Sequence, residues 1–166
     1  MGSRQEGNKM NEHPYFHVAF IVADLDSAIP RFESAMGVEF LEPIIAKARF
    51  YERGRGERDL ELRLTYSKQG AGPWVELIEA QGDGIYGLTH GEGMHHVGIW
   101  ESDCESRVEA MKKQGIELLA AQYTPEGKII VAYFAPESLH GTMLEIVDDS
   151  RKDMMYQWFS GGPFQD

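Results

Sequence analysis

The sequence predicts an α+β fold: two βαβββ modules whose curved mixed sheets pair around a central site, with the helices on the outside. Three observations predict it. The two halves repeat one another, each half has one helical stretch followed by three strand-like stretches, and each half closes on an apolar strand with a glutamate at its centre. His17-Val18-Ala19-Phe20-Ile21-Val22 reaches Asp24 after seven residues and Gly37 thirteen later, while His96-Val97-Gly98-Ile99-Trp100 reaches Asp103 after seven and Gly115 twelve later.

The elements follow in order. Phe16 to Val22 and Met94 to Trp100 are short apolar runs of strand length. Asp24 and Asp103 precede helical stretches, where a carboxylate satisfies orphan N–H groups. In the first helix Ala28, Phe32 and Ala35 or Met36 recur at helical spacing, and in the second Val108 and Met111 do the same. Pro30 is read as lying in the first turn, where its missing N–H costs little. Gly37 and Gly115 stand where a helix end needs a left-handed residue. Three strands per half come next: Ile44 to Arg53, Leu60 to Tyr66 and Pro73 to Glu79, then Leu118 to Tyr123, Lys128 to Phe134 and Thr142 to Asp148. Gly54-Arg55-Gly56, Gln69-Gly70-Ala71-Gly72 and Pro125-Glu126-Gly127 turn the chain between them.

These elements divide the chain into a polar leader over 1–13, expected to be disordered, with Met10 a possible native start; one domain over 14–149; and a tail over 150–166. The domain comprises modules 14–80 and 94–149 joined by the glycine-rich linker 81–93. Arg151 to Phe159 reads as a short amphipathic helix anchored by Met155 and Phe159, its aromatic side chains exposed for docking.

Composition narrows the function. Among 166 residues, 16 Lys and Arg face 27 Asp and Glu, a net charge of −11. The basic residues are scattered, which excludes nucleic acid as the default partner. No apolar run approaches membrane-spanning length, so no membrane partner is expected. A single cysteine, Cys104, and a leader without an apolar core favour a reducing cytoplasm.

Strand alternation then sorts the chemistry. His17 shares a face with Ala19 and Ile21, Glu76 with Trp74 and Ile78, His96 with Gly98 and Trp100, and Glu145 with Met143 and Val147. If the opposite faces lie under the helices, the repeat brings two imidazoles and two carboxylates together at the centre. That set suits one divalent ion of borderline softness: Zn²⁺, Ni²⁺, Co²⁺, Mn²⁺ or Fe²⁺. A lone strand histidine is usually structural, and so is a lone strand glutamate. The recurrence of both at matching places in both halves favours ligation by His17, Glu76, His96 and Glu145. Alternation puts His95 on the opposite side of its strand. His13, His90 and His140 have no counterpart in the repeat and read as surface or loop residues. Trp74, Trp100, Tyr66 and Phe134 are candidate pocket walls.

On His17-Val18-Ala19-Phe20, Val75-Glu76-Leu77-Ile78-Glu79, Gly93-Met94-His95-His96-Val97-Gly98 and Gly141-Thr142-Met143-Leu144-Glu145-Ile146, the chain resembles the vicinal oxygen chelate superfamily. That group includes glyoxalase I, methylmalonyl-CoA epimerase, extradiol dioxygenases and bleomycin-resistance proteins. The His-His-Val element and the loop Ala135 to Gly141 look most like the epimerase branch. Glutamate at position 76 departs from that branch, where glutamine is common, and the His/Glu/His/Glu set is similar to bacterial glyoxalase I. The resemblance implies a metal-dependent isomerase or epimerase that stabilises an enolate after proton abstraction beside a carbonyl. It implies Glu145 as base with Glu76 as the symmetric second, a small carbonyl substrate such as an acyl-CoA, and a homodimer. In the epimerases a further glutamate of the first module takes part, and Glu42, Glu52, Glu57 and Glu61 all lie in that region. Glyoxalase I chemistry, extradiol ring cleavage and metal-free ligand binding are the other activities the superfamily offers.

Overall fold

The computed structural model describes residues 14–165, so the expected leader over 1–13 and His13 lie outside the described residues. Each half is a βαβββ unit. The first comprises β1 (Tyr15–Val22), α1 (Leu25–Met36), β2 (Ile44–Glu52), β3 (Gly56–Tyr66) and β4 (Trp74–Glu79). The second comprises β5 (Gly93–Glu101), α2 (Cys104–Lys113), β6 (Leu118–Tyr123), β7 (Ile129–Phe134) and β8 (Leu144–Asp148), and α3 (Lys152–Phe159) follows. The two sheets meet at both edges. Antiparallel pairing of β1 with β5 and of β2 with β6 closes one barrel in the order β1-β4-β3-β2-β6-β7-β8-β5. Within each half the first and last strands run parallel, β1 beside β4 and β5 beside β8.

Local chemistry fixes the ends of the helices. Asp24 accepts from Ser27 N–H at 2.8 Å and Asp103 from Ser106 N–H at 3.0 Å, each capping its helix. Gly37 closes α1 at φ 68°, and Gly115 follows α2 at φ 77°, both in the left-handed region. α1 begins at Leu25, so Pro30 lies in its second turn, one turn later than the sequence suggested. The carbonyl that loses its donor there faces solvent, because Asp26 and Pro30 are exposed. α1 buries Leu25 and Ala28, whereas Met36 is exposed and does not extend the apolar stripe.

The helices cover the outside of the barrel. Val22, Leu25, Ala28, Val75 and Leu77 form the layer under α1, and Cys104, Val108, Met111, Ala132, Phe134 and Ile146 form the layer under α2. A third apolar cluster fills the interior. α3 closes one end of it: Trp158 is 4% exposed and Phe159 fully buried, with Phe159 against Trp74 at 4.7 Å and Tyr66 at 4.6 Å between ring centroids. The aromatic tail expected to be exposed for docking is thus satisfied by its own barrel, and a homodimer gains no support from it. Among the described residues no helix is long and apolar enough to cross a membrane.

Candidate metal centre

The centre is set by how β1 and β5 pair. His17 stands opposite Gly98, and Ala19 opposite His96. The register slips by one residue just before each histidine, between Tyr15 and His17 on β1 and between Met94 and His96 on β5. Each slip is a β-bulge, which leaves an extra residue and re-aims its side chain. On β1 that residue is Phe16, stacked on Trp100 at 3.8 Å. On β5 it is His95. Simple alternation would send His95 to the far face; the bulge instead sets its Nδ1 2.8 Å from Nδ1 of His96.

The two ligand candidates contributed by each half converge. Nε2 of His17 lies 2.9 Å from Nε2 of His96. Oε2 of Glu76 is 3.4 Å from both nitrogens, and Oε2 of Glu145 is 3.2 Å from His17 and 3.3 Å from His96. All four side chains are buried. The donor atoms of His17, Glu76 and His96 lie within 4.8 Å of one another. A divalent cation fits this set. One ring N–H can satisfy only one of the three acceptors crowded around Nε2 of His17, whereas a cation among the four atoms satisfies them together. Among the described residues Nδ1 of His17 has no hydrogen-bond partner.

Gly98 makes room for the first imidazole. A Cβ there would stand 2.0 Å from Cε1 and 2.3 Å from Nδ1 of His17, so the ring lies across bare backbone.

Hydrogen bonds outside the four donors orient two of them. Nε2 of His95 faces the Ile85 carbonyl at 2.7 Å, and a carbonyl only accepts, so that nitrogen carries the proton. Burial keeps His95 neutral, its pKa lowered to about 4, so its Nδ1 accepts from Nδ1–H of His96. Nε2 of His96 is then the nitrogen turned to the centre. On the other side Tyr133 donates to Oε1 of Glu145 at 2.6 Å, and Tyr86 meets the Tyr133 oxygen at 2.8 Å. Tyr133 pairs across the sheet with Glu145, as Tyr66 does with Glu76.

Charge follows from this crowding. Burial opposes the imidazolium form of both histidines, but the two carboxylates outweigh it, raising His17 and holding His96 up at about 9. Burial likewise opposes the Glu76 and Glu145 carboxylates, and the two imidazoles pull both below the usual carboxylate range. Tyr66, Tyr86 and Tyr133 are pushed well up, by burial first and by these carboxylates next.

Glu76 and Glu145 face a cavity of about 110 Å³ inside the barrel, whose walls are mainly apolar side chains of β2, β3 and β7. Of the expected pocket walls, Tyr66 lines it. Trp74, Trp100 and Phe134 do not. Trp74 and Trp100 point inward, but α3 fills that end: Trp74 packs on Tyr156 and Phe159, and the Trp100 indole N–H donates to the Tyr156 hydroxyl at 3.0 Å. Phe134, one residue after Tyr133, faces outward under α2. Glu42, Glu57 and Glu61 are exposed, and Glu52 is buried against Arg55 and Arg58, so none of the four lines this cavity. His90 and His140 are exposed. The sequence reading missed His95, Tyr86 and Tyr133. Aligning Tyr66 with its counterpart in the second half is the signal that would have found Tyr133.

The comparisons agree with this architecture. A family model described as the Glyoxalase/Bleomycin resistance protein/Dioxygenase superfamily matches residues 16–134. The chain belongs to that superfamily. Solved structures share the fold of this superfamily member. A methylmalonyl-CoA epimerase in complex with methylmalonyl-CoA and NH4+ is 20% identical with a TM-score of 0.60, over 82% of this chain and 94% of that one. Methylmalonyl-CoA epimerase from Mycobacterium tuberculosis is 19% identical with a TM-score of 0.58, over 81% and 87%. A hypothetical protein from Bacillus halodurans C-125 is 18% identical with a TM-score of 0.58, over 81% and 92%. No curated protein matches the sequence.

Proposed function

We propose that this superfamily member is a metal-dependent isomerase or epimerase that removes a proton from the carbon beside a carbonyl and returns it. The observation that carries the reading is the convergence of His17, Glu76, His96 and Glu145, with both carboxylates on the wall of a mainly apolar cavity. These four residues would hold the ion. A divalent cation bound there supplies Lewis-acid stabilisation of negative charge developing on substrate oxygen.

The chain's own groups supply the rest. Glu145 serves as the base, with Glu76 as the symmetric second, because both carboxylates face the cavity. The hydrogen bond from Tyr133 holds the Glu145 carboxylate in one orientation, and Tyr86 holds Tyr133. The mainly apolar walls shield the deprotonated carbon, and the carboxyl proton on Glu145 exchanges with solvent before one is returned, which in D₂O places deuterium in the product. The similarity in fold to epimerases that bind methylmalonyl-CoA makes short acyl-CoA thioesters one arm of the substrate panel, with free oxo acids as the other.

The test is exchange in D₂O. Protein loaded in turn with Co²⁺, Ni²⁺, Zn²⁺, Mn²⁺ and Fe²⁺ is incubated with that panel and the products are weighed by mass spectrometry. Deuterium incorporation that chelation abolishes, and that Glu145→Gln reduces at least about 100-fold, is expected for loss of a general base. No incorporation by metal-loaded protein across the panel would overturn the reading.

A lyase of the glyoxalase I kind is the second reading, favoured by glutamate rather than glutamine at position 76. Turnover of a hemithioacetal by the same metal-loaded protein would select it.

A further inference from the structure

The metal centre occupies one part of the cavity wall, and apart from Tyr66, Tyr86 and Tyr133 around it the remaining wall is mainly apolar except at two side chains. Arg151, just before α3, and Gln122, on β6, line the same cavity as Glu76 and Glu145. Both are half-buried, and neither side chain has a hydrogen-bond or ion-pair partner among the described residues.

For an arginine of this protein that isolation is unusual. Of the other seven arginines among the described residues, six hold carboxylates: Arg49, Arg53, Arg55, Arg58, Arg63 and Arg107. The seventh, Arg31, is exposed on α1. Arg151 differs from both groups. It is half-buried beside Met155, Trp158 and Phe164, and none of the acidic side chains among the described residues pairs with it. A guanidinium held against an apolar cavity without a counter-charge is costly, and an anion entering the cavity removes that cost.

We propose that Arg151, assisted by the Gln122 amide, binds an anionic group on the substrate. The molecule taken up then has three parts: an oxygen-bearing carbonyl head toward Glu76 and Glu145, a short apolar body along Ile44, Leu62 and Val131, and a carboxylate or similar anion at Arg151. Cavities that enclose drug-sized ligands run to ~300–1,000 Å³, so one of about 110 Å³ limits the enclosed part to a small organic acid or the acyl end of a larger molecule. The inference rests on the site reading above and adds the substrate's second polar end to it.

The experiment compares probes that differ only in that end. Binding to the metal-loaded chain is measured by calorimetry for 2-oxoadipate against 2-oxohexanoate, and for succinyl-CoA against butyryl-CoA. Within each pair the carbonyl head is the same and only the far carboxylate changes. The expected result is a preference of about ten-fold or more for the carboxylate-bearing member of at least one pair, lost in Arg151→Met and weakened in Gln122→Leu. The pair that shows it distinguishes a free acid from a thioester. Circular dichroism of Arg151→Met verifies the fold, and Gln122→Leu provides an independent reading if that variant is misfolded. Equal binding within both pairs, a preference that survives Arg151→Met in a folded protein, or no binding of any probe would overturn the proposal. Metal content measured on the same samples separates this failure from that of the metal centre. A chain that holds no metal defeats the isomerase reading, while the preference at Arg151 is still read with the same probes on the metal-free protein.

Discussion

Tyr133 donates its hydroxyl to Oε1 of Glu145 at 2.6 Å, so the carboxylate placed to serve as base is hydrogen-bonded on the oxygen turned away from the imidazoles. Such a bond favours the charged carboxylate. Replacing Tyr133 with Phe removes the donor and raises the Glu145 pKa from its depressed position. The acid limb of the exchange rate against pH is expected to move to higher pH, with metal content unchanged and about 1–3 kcal/mol of stability lost. A pH–rate profile beside a denaturant titration measures both.

His95 is expected to act through His96. Substituting it with Phe, the residue at the equivalent bulge of β1, keeps the volume and loses the acceptor for Nδ1–H of His96. Partners of this kind are worth about 10–100-fold in metal affinity. Competition with a chelator should show that loss in His95→Phe while circular dichroism stays unchanged.

Gly98→Ala tests the packing of the other imidazole. A methyl group 2.0 Å from the His17 ring forces it out of place, and the strands around it leave nowhere for it to settle. Metal content by mass spectrometry is expected to fall to that of a His17→Ala control. Full retention of metal would mean that His17 is not a ligand.

The pH dependence has opposite signs with and without metal. In the metal-free protein His96 titrates at about 9, above its ordinary 6.5. A raised folded pKa gives stability that is complete below the unfolded value and lost as pH rises through the folded one. The melting temperature of the metal-free protein should therefore fall between pH 6.5 and 9. Metal must displace the same protons, so apparent affinity should rise over that range, by up to about ten-fold per pH unit for each proton released. Thermal melts at fixed metal concentration across the range check both signs.

How much of this was legible depended on whether the signal was periodic. The repeat, with its Asp and Gly landmarks around each helix, announced both modules. The outward faces of Val18 and Phe20 under α1 followed from alternation, which also turned His17 and Glu76 inward. Alternation failed where the backbone departs from it, at the bulges that bring Phe16 and His95 to the inside. It also could not show which inward residues meet the cavity and which meet α3. Trp74 and Trp100 face inward as read, but they pack against a helix from the end of the chain, a contact no local pattern encodes. Tyr86 was hidden for a different reason: it belongs to a glycine-rich connection that reads as spacer, yet inserts into the barrel.

The edge-to-edge closure of the barrel has a further consequence. Each half provides one imidazole and one carboxylate, and β1 with β5 and β2 with β6 are the seams between the halves. Neither half alone has more than a two-donor fragment, so a cation there is a clasp joining separable pieces. The connection after β4 is largely exposed beyond Tyr86. A chain cut there becomes a two-piece device whose reassembly reports on the ion, with a chelator as the means of taking it apart.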